Sequence, residues 1–499
     1  RRNGGLYDDL RTILAGLLSS IPEVYSSYAT LGRGIYMAVA AVVLAAGKGT
    51  RMKSEIPKVI HPICGRPMVA HVVDSLRQAG IERIIIVVGS AAEQIQEVLG
   101  NDVEYVVQED QLGTGHAVLQ AEAILKNHDG PLLVIHGDTP LYRAGTLRDL
   151  VGFHQDSGAI GTVLTVNVDD PTGYGRIIRD SAGGFKKIVE QKDASPGEAM
   201  VKEINSGTYV FECGPMFGAL SQIKPQNVQN EYYLTDVLPI LRKEYGKVQI
   251  FTHEDADEAL GINNRVQLAV AEQIMRSRIR EKWMLAGVTM MDPTTIYIDA
   301  EVILESDVVL LPFTFIEGHT RIATGSVIGP FVRVRDAELG QNVTVSQATV
   351  LESSLDSGCV VGPYSYIRPG CQLGEGAKVG GFCEIKNTVI GSGSKVPHLS
   401  YLGDTDVGKK VNIGAGTITC NYDGQEKHHT TIQDQAFVGS NCNLVAPVEI
   451  GSGAYVAAGS TITGNIPPGA LGVARSRQRN IPDWAGRRGS KRSSPKKGS

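Results

Sequence analysis
The chain has 499 residues, an apolar fraction of 42% and a formal net charge of −5. That length allows two or three domains, and no apolar run approaches the roughly 18–20 residues a membrane-spanning helix requires. Charge is uneven: residues 475–499 hold nine Lys or Arg and one acid, so the tail is +8 and the rest −13, a body that gives no reason to expect nucleic acid.

Residues 1–36 carry a short apolar stretch, Ile13 to Leu18, but Asp8 and Asp9 stand where a signal peptide needs positive charge. The natural chain is expected to start at Met37, with 1–36 extraneous or disordered. From Met37 to about Arg265 strand and helix patterns alternate. Val39–Leu44 reads as a strand, Met68–Ala79 as a helix, Ile84–Val88 as a strand, Ala91–Leu99 as a helix, and Pro131–His136 as a strand ending in Gly137-Asp138. Such alternation predicts a parallel sheet with helices on both faces. Ligands of such sheets bind beyond the carboxyl ends of the strands, which directs attention to the segments after Leu44 and His136.

The first of these reads Leu44-Ala-Ala-Gly47-Lys48-Gly49-Thr50-Arg51-Met52, followed by Pro57-Lys58. Its spacing is not that of a Walker loop, and Met52 stands where a dinucleotide fingerprint has its third glycine. Small residues let backbone N–H groups approach a phosphate, and Arg51 and Lys58 supply charge for a polyphosphate. The whole string resembles the signature loop of sugar-nucleotide pyrophosphorylases. Residues 266–287 follow as a helical pattern, expected to connect two domains.

From about Ile316 to Ile462 an aliphatic residue returns every six positions. Ile316, Ile322, Ile328 and Val334 open the series, Leu355, Val361, Ile367, Leu373, Val379 and Ile385 continue it, and Ile432 to Ile462 close it. A six-residue period fits neither a helix nor a hairpin sheet. It predicts a parallel β-helix in which three hexads close one triangular coil. The array is expected to begin near Ile296, with irregular hexads until Ile316. Much of the excess of Gly, 58 residues against a usual share of about 7%, falls in this array. Seven cysteines, an odd number with no Cys-x-x-Cys pair, read as free thiols in a reducing cytoplasm, and Cys359, Cys371 and Cys383 read as core filler at equivalent hexad positions. Two segments break the period: Lys386 to Asp404, crowded with polar and aromatic residues, and Thr419 to Thr431, expected to leave the solenoid as a loop and so to be a candidate seat of function. His398 stands within two coils of Lys386, Tyr401, Asn412 and Asn421-Tyr422, whereas His428 and His429 read as solvent-facing.

His398-Leu-Ser-Tyr-Leu-Gly-Asp404 and Val411-Asn-Ile-Gly-Ala-Gly-Thr-Ile-Thr-Cys-Asn-Tyr-Asp-Gly424, with the signature loop, make the chain from Met37 to about Arg475 similar to one family. It resembles the bacterial bifunctional N-acetylglucosamine-1-phosphate uridyltransferases and glucosamine-1-phosphate acetyltransferases. The resemblance implies an α/β, Rossmann-like nucleotidyltransferase domain (37–265), a helical linker (266–287), a left-handed parallel β-helix (288–474) and a basic, disordered tail (475–499). In the first domain it implies UDP-N-acetylglucosamine binding by Leu44, Ala45, Ala46, Gly47, Lys58, Gln108, Gly113, Thr114, Gly175, Glu190, Asn205 and Asn263. Arg51 and Lys58 would act on the triphosphate, and Asp138 and Asn263 would hold Mg²⁺.

In the β-helix the resemblance assigns Arg368, Lys386, Tyr401 and Asn412 to glucosamine 1-phosphate and makes His398 the general base, a role suited to a group of pKa about 6.5. Asn421 would position the amine or stabilise the oxyanion. Ala415, Asn421, Tyr422, Ser440, Ala458 and Arg475 would bind acetyl-CoA. The implied substrates are glucosamine 1-phosphate, acetyl-CoA, N-acetylglucosamine 1-phosphate and UTP, used by a cytoplasmic homotrimer that feeds peptidoglycan and lipopolysaccharide synthesis. Pro397 departs from the family's usual Gly before the histidine. The alternative is a single-activity pyrophosphorylase whose β-helix only oligomerises.

Overall fold
The computed structural model describes residues 38–491; the expectations for residues 1–36 lie outside them. Two compact units emerge, one running to Gln267 and the other from Leu268 onward together with residues 62–67.

The first unit is built around β1 (Ala40–Leu44), whose five residues are all buried. It continues through α1 (Met68–Gln78), β2 (Arg83–Val88), α2 (Ala92–Leu99), β3 (Glu104–Val107), α3 (Thr114–Leu119), β4 (Pro131–His136), α4 (Ala144–Ser157) and β5 (Gly161–Asn167). A hairpin, β6 (Arg176–Arg179) and β7 (Phe185–Val189), precedes β8 (Glu203–Glu212), α5 (Cys213–Leu220), α6 (Val237–Glu244) and β9 (Val248–His253). The sheet order is β9-β5-β8-β4-β1-β2-β3, with the hairpin off the path.

Alternation along β1 divides the core. Ala40, Val42 and Leu44 face the layer of α3, α5 and α6, while Ala41, Val43 and Ala45 face the layer of α1, α2 and α4. The purely parallel sheet expected from the alternating pattern needs correction, because β8 runs antiparallel to both β4 and β5. Its approach through the β6–β7 hairpin explains why: an antiparallel neighbour needs no crossover helix. β1 itself pairs in parallel with β2 and β4, so the loops after Leu44 and His136 open at one edge of the sheet. The helix α7 (Arg265–Leu285) contains the division between the two units.

The second unit is a parallel β-helix. Ile298 pairs with Ile316 and Ile316 with Val334, eighteen residues per coil, as three hexads require. Its strands gather into one sheet of eleven and one of seventeen that wraps the other faces. The axis is filled by one cluster in which Ile298, Leu304, Leu310 and Ile316 follow each other at strict six-residue intervals. The array is therefore regular from Ile298, earlier than the sequence pattern suggested.

The apparent gap between Val334 and Leu355 holds Leu339, Val345 and Val350, all buried, and every side but that from Leu339 to Val345 is shortened by one residue. There Val334 pairs with Val350, a coil of sixteen. A loop is ejected as expected, but it is shorter than Thr419 to Thr431: Ile418–Cys420 and Thr430–Ile432 remain strands of the ladder and residues 421–429 leave it, stretching one coil so that Asn412 pairs with Phe437. Cys359, Cys371 and Cys383 are buried on the axis. At equivalent positions buried hydroxyls are satisfied by carbonyls, as where Ser326 donates to Gly340 and Ser394 to Gly408. Residues 475–488 are exposed, and Trp484–Lys491 is helical.

Candidate active sites
In the first unit the four charged or amide groups singled out in sequence converge. The Lys58 ammonium bonds the Asp138 carboxylate and donates to Asn263 Oδ1 at 3.2 Å, and Arg51 donates to the same oxygen at 2.8 Å. Gly49 makes this possible: it adopts φ +60°, and a Cβ there would stand 2.6 Å from Lys58 Cβ. Burial alone would raise the Asp138 carboxyl, but Lys58, and then His136, hold it below its ordinary value.

Two adjoining cavities, about 250 and 310 Å³, share Lys58, Thr114, His136, Asp138 and Glu231. Leu44, Ala46, Gly47, Gln108 and Gly113 line the first; Gly175, Glu190, Asn205 and Asn263 line the second. Gln108 is buried and donates to the Gly113 carbonyl at 3.2 Å, which fixes its amide at the cavity wall. The Asn205 amide donates to Tyr209 Oη at 2.7 Å. Burial, with Asp193 and Asp236 nearby, raises the Glu190 carboxyl. Ala45 is the exception among the expected residues: its side chain packs into the core on the other face of the sheet, as strand alternation requires.

In the β-helix, Lys386, Asp404 and Asn421 form a connected cluster. Lys386 Nζ lies 3.6 Å from Asp404 Oδ2, and the Asn421 amide donates to that same oxygen. Arg368 donates to Glu384 at 2.8 Å, and Glu384 pairs in register with Tyr401 in the next coil. His398 is exposed at a corner of the helix, paired in register with Gly381.

The corner residues stack coil upon coil. Gly416 N–H donates to the Leu399 carbonyl, Asn441 N–H to Ala415 and Gly459 N–H to Ser440. His398, Ala415, Ser440 and Ala458 therefore stand in one column, at roughly 4.8 Å per coil. Arg475 Cδ lies 3.9 Å from the position a Cβ of Gly459 would take. Asn412 belongs to a different sheet from Tyr401, and among the described residues no hydrogen bond joins it to the cluster.

The nucleotidyl transferase family model matches residues 40–284, and the bacterial transferase hexapeptide model, of six repeats, matches 352–387 and 429–464. The bifunctional protein GlmU of Heliobacterium modesticaldum is 52% identical over 90% of this chain and 98% of its own. Those of Brevibacillus brevis and Syntrophomonas wolfei are 49% and 47% identical over 91% and 89% of this chain and 99% of theirs. The chain belongs to the GlmU family.

Several residues of this GlmU family member reach the sites without having been singled out in sequence. His136, Gln111, Glu231 and Tyr233 line the cavities of the first unit. His136 ends β4 two residues before Asp138, so the strand-end rule could have found it. Gln111 donates to the Ala46 carbonyl at 2.6 Å, a contact between distant segments that no local pattern reveals.

Lys427 comes back to the second site from the ejected loop, which closes as a hairpin by pairing Tyr422 with Lys427. Tyr422 itself is exposed and donates to the Gly424 carbonyl at 2.7 Å. A hydrogen bond with Lys386 and the charge of that ammonium lower Lys427 below the ordinary lysine value. His428 and His429 face solvent as expected, partly exposed and exposed respectively, and each pairs with an acid that is itself exposed. His428 Nε2 lies 2.7 Å from Asp423, and His429 Nε2 lies 3.1 Å from Asp406. The pairing follows from the loop folding back on itself and onto the neighbouring coil.

Proposed function
We propose that each unit of this bifunctional enzyme carries out one half-reaction with the residues gathered above, the two together making UDP-N-acetylglucosamine. In the β-helix, His398 takes a proton from the 2-amino group of glucosamine 1-phosphate while the nitrogen attacks the thioester carbonyl of acetyl-CoA. The C–S bond breaks and CoA leaves. Arg368, Lys386 and Lys427 receive the sugar phosphate, with Tyr401 and Asn412 at the sugar. The corner column of Ala415, Ser440 and Ala458, ending near Arg475, receives the CoA chain.

In the first unit a phosphate oxygen of N-acetylglucosamine 1-phosphate attacks the α-phosphorus of UTP, and pyrophosphate leaves. Gln108, Gly113 and Thr114 hold the base, and Glu190 and Asn205 the sugar. Arg51 and Lys58 neutralise the triphosphate, the main task the protein has in such a transfer. Asp138 and Asn263 fit Mg²⁺, since both present oxygens to one cation, the Lys58 ammonium, and Mg²⁺ needs few protein oxygens beside those of substrate phosphates. When bound it supplies further charge neutralisation at the phosphates.

The observation that favours this reading over a single-activity pyrophosphorylase is the intact Lys386–Asp404–Asn421 cluster. Two separate assays test it: thiol release from glucosamine 1-phosphate and acetyl-CoA, and pyrophosphate release from N-acetylglucosamine 1-phosphate, UTP and Mg²⁺. Pyrophosphate release alone would reduce the β-helix to a scaffold. The product feeds cell-wall synthesis. Among the described residues no helix is long and apolar enough to cross a membrane.

A homotrimer is supported by one feature of the β-helix. Phe313, Phe331, Tyr364, Phe382 and Leu399 lie at corners leading up to His398, interrupted once by Gln347, and are between 47% and 63% exposed. Phe313 stacks on Phe331 at 5.0 Å and Tyr364 on Phe382 at 5.1 Å. Such an apolar column suits cover by further copies of the chain. Sedimentation equilibrium should find three chains, and a fully active single chain would overturn the assembly.

A further inference from the structure
Asp404 is the hub of the β-helix site. Its Oδ1 accepts from the Asn387 amide at 2.7 Å, and its Oδ2 accepts from the Asn421 amide and lies 3.6 Å from Lys386 Nζ. The three side-chain partners come from the coils on either side of Asp404, Lys386 and Asn387 from the one before and Asn421 from the one after, and the Asp404 side chain is only 13% exposed. Burial by itself would raise this carboxyl, but the hydrogen bonds from Asn387 and Asn421, with Lys386 and Lys427 nearby, hold it below its ordinary value.

An ionised carboxylate only accepts hydrogen bonds. The amide of Asn421 must therefore turn its NH₂ group to Asp404. Gly403 leaves the space for this: a Cβ there would stand 2.8 Å from Asn421 Nδ2 and 2.4 Å from Tyr401 Oη. With the NH₂ end committed downward, Oδ1 becomes the end available to substrate. Among the described residues no hydrogen bond reaches it. A carbonyl oxygen can accept from an amine and cannot stabilise an oxyanion.

We propose, building on the two-site function above, that Asp404 is a positioning residue for acetyl transfer, which turns Asn421 Oδ1 toward the substrate amine and anchors Lys386 beside the sugar phosphate. The neutral amine has two N–H bonds and one lone pair. Asn421 Oδ1 accepts one N–H, His398 receives the proton of the other, and the lone pair forms the N–C bond as the C–S pair leaves with CoA. Oxyanion stabilisation then belongs to groups other than the Asn421 side chain.

Asp404→Asn is the sharp test, because Asp404 has φ +50°, a conformation that Asn tolerates well. The expected result is a fall in kcat for acetyl transfer of about 10²-fold, the scale of a small misplacement at a reacting centre. The KM for glucosamine 1-phosphate should rise as Lys386 loses its anchor, and pyrophosphate release by the same protein should stay at the unmutated level.

The decisive readout is coupling. In an Asn421→Ala background, adding Asp404→Asn should cost less than about threefold in kcat, since the group it orients is gone. Independent, multiplying losses would overturn the proposal, as would a parallel fall of both half-reactions or an unchanged kcat in Asp404→Asn alone. Failure of the underlying two-site reading looks different: acetyl transfer would be absent from the unmutated enzyme or survive His398→Ala.

Discussion
The two units assemble a site in opposite ways. In the first, residues far apart in sequence meet because strand ends converge: Arg51 and Asn263, bonded to each other, are 212 residues apart. In the β-helix, bonded partners are one coil apart: Asn387 and Asp404, or Asp404 and Asn421, are separated by 17 residues. In the solenoid the sequence period is itself the contact map, so each added coil places the next functional side chain above the last. In the α/β sheet the contact map depends on strand order, which the sequence encodes only through the whole fold.

The sharpest way to break this comparison is to remove one group from each site and read both activities. His398→Ala should lower acetyl transfer by about 10²–10⁴-fold, the usual contribution of a general base, and leave pyrophosphate release near its unmutated rate. Parallel loss of both in a folded protein would show that the units do not act independently. Asp138→Ala should do the reverse, lowering pyrophosphate release by about 10²–10³-fold, the scale of one lost charge-stabilising group, with thiol release unchanged. A variant that still makes UDP-N-acetylglucosamine in Mg²⁺ would remove Asp138 from the site.

The same contrast governs what could be read in advance. Ile316 to Ile462 announced the β-helix because each side of a coil exposes one inward residue, and a repeat that long leaves few alternatives. The period of six is nevertheless not strict. Sides of five residues, as from Val334 to Leu339, keep the inward residue inward by shortening the turn, so they look like breaks when only sixes are counted.

In the first unit β1, β2, β4, α1 and α2 were legible from apolar runs, but α3 to α6 were not read, nor was antiparallel β8, whose direction is set by the hairpin before it. Arg51, Lys58 and Asp138 were legible as motif residues. Gln111 and Lys427 were not, because each reaches its site by a loop folding back, and nothing local records where a loop lands.

Acid should distinguish the units by stability. His154 in α4 is fully buried, and burial pushes its pKa down to about 4. Thr162 Oγ1 lies 2.8 Å from its Nδ1 and Glu212 Oε1 3.2 Å from its Nε2, and burial of the ring outweighs the pull of that carboxylate. An unfolded histidine binds its proton near pH 6.5 and the folded one does not until about pH 4. Stability of the first unit should therefore be full above pH 6.5 and fall as pH drops toward 4, by about 3 kcal/mol for this group. Every buried histidine among the described residues lies in the first unit. Pyrophosphate release should thus lose its thermal midpoint in mild acid before thiol release does, and His154→Gln should flatten the dependence. A β-helix that melts first at pH 5 would overturn the assignment.

Pro397 offers the smallest effect and a check on how strictly the solenoid obeys its own ladder. At the same position in neighbouring coils a backbone N–H donates to the next coil: Gly362 to Val379 at 2.9 Å, Gly414 to Val438 at 2.7 Å and Gly439 to Val456 at 2.9 Å. Proline has no N–H to give, so Ile413, its neighbour in that column, goes without the equivalent bond. Pro397→Ala restores the donor, and its Cβ occupies space that the proline ring already fills. The bond should add about 0.5–1.5 kcal/mol, and the loss of proline's restriction on the unfolded chain should remove about 0.4–1 kcal/mol. The two nearly cancel. Urea unfolding of Pro397→Ala should therefore shift by less than about 1 kcal/mol, with acetyl transfer within about threefold of the unmutated enzyme. A much larger loss of kcat at unchanged stability would mean that the rigid bond before His398 sets the direction of its ring, which the ladder argument alone does not require.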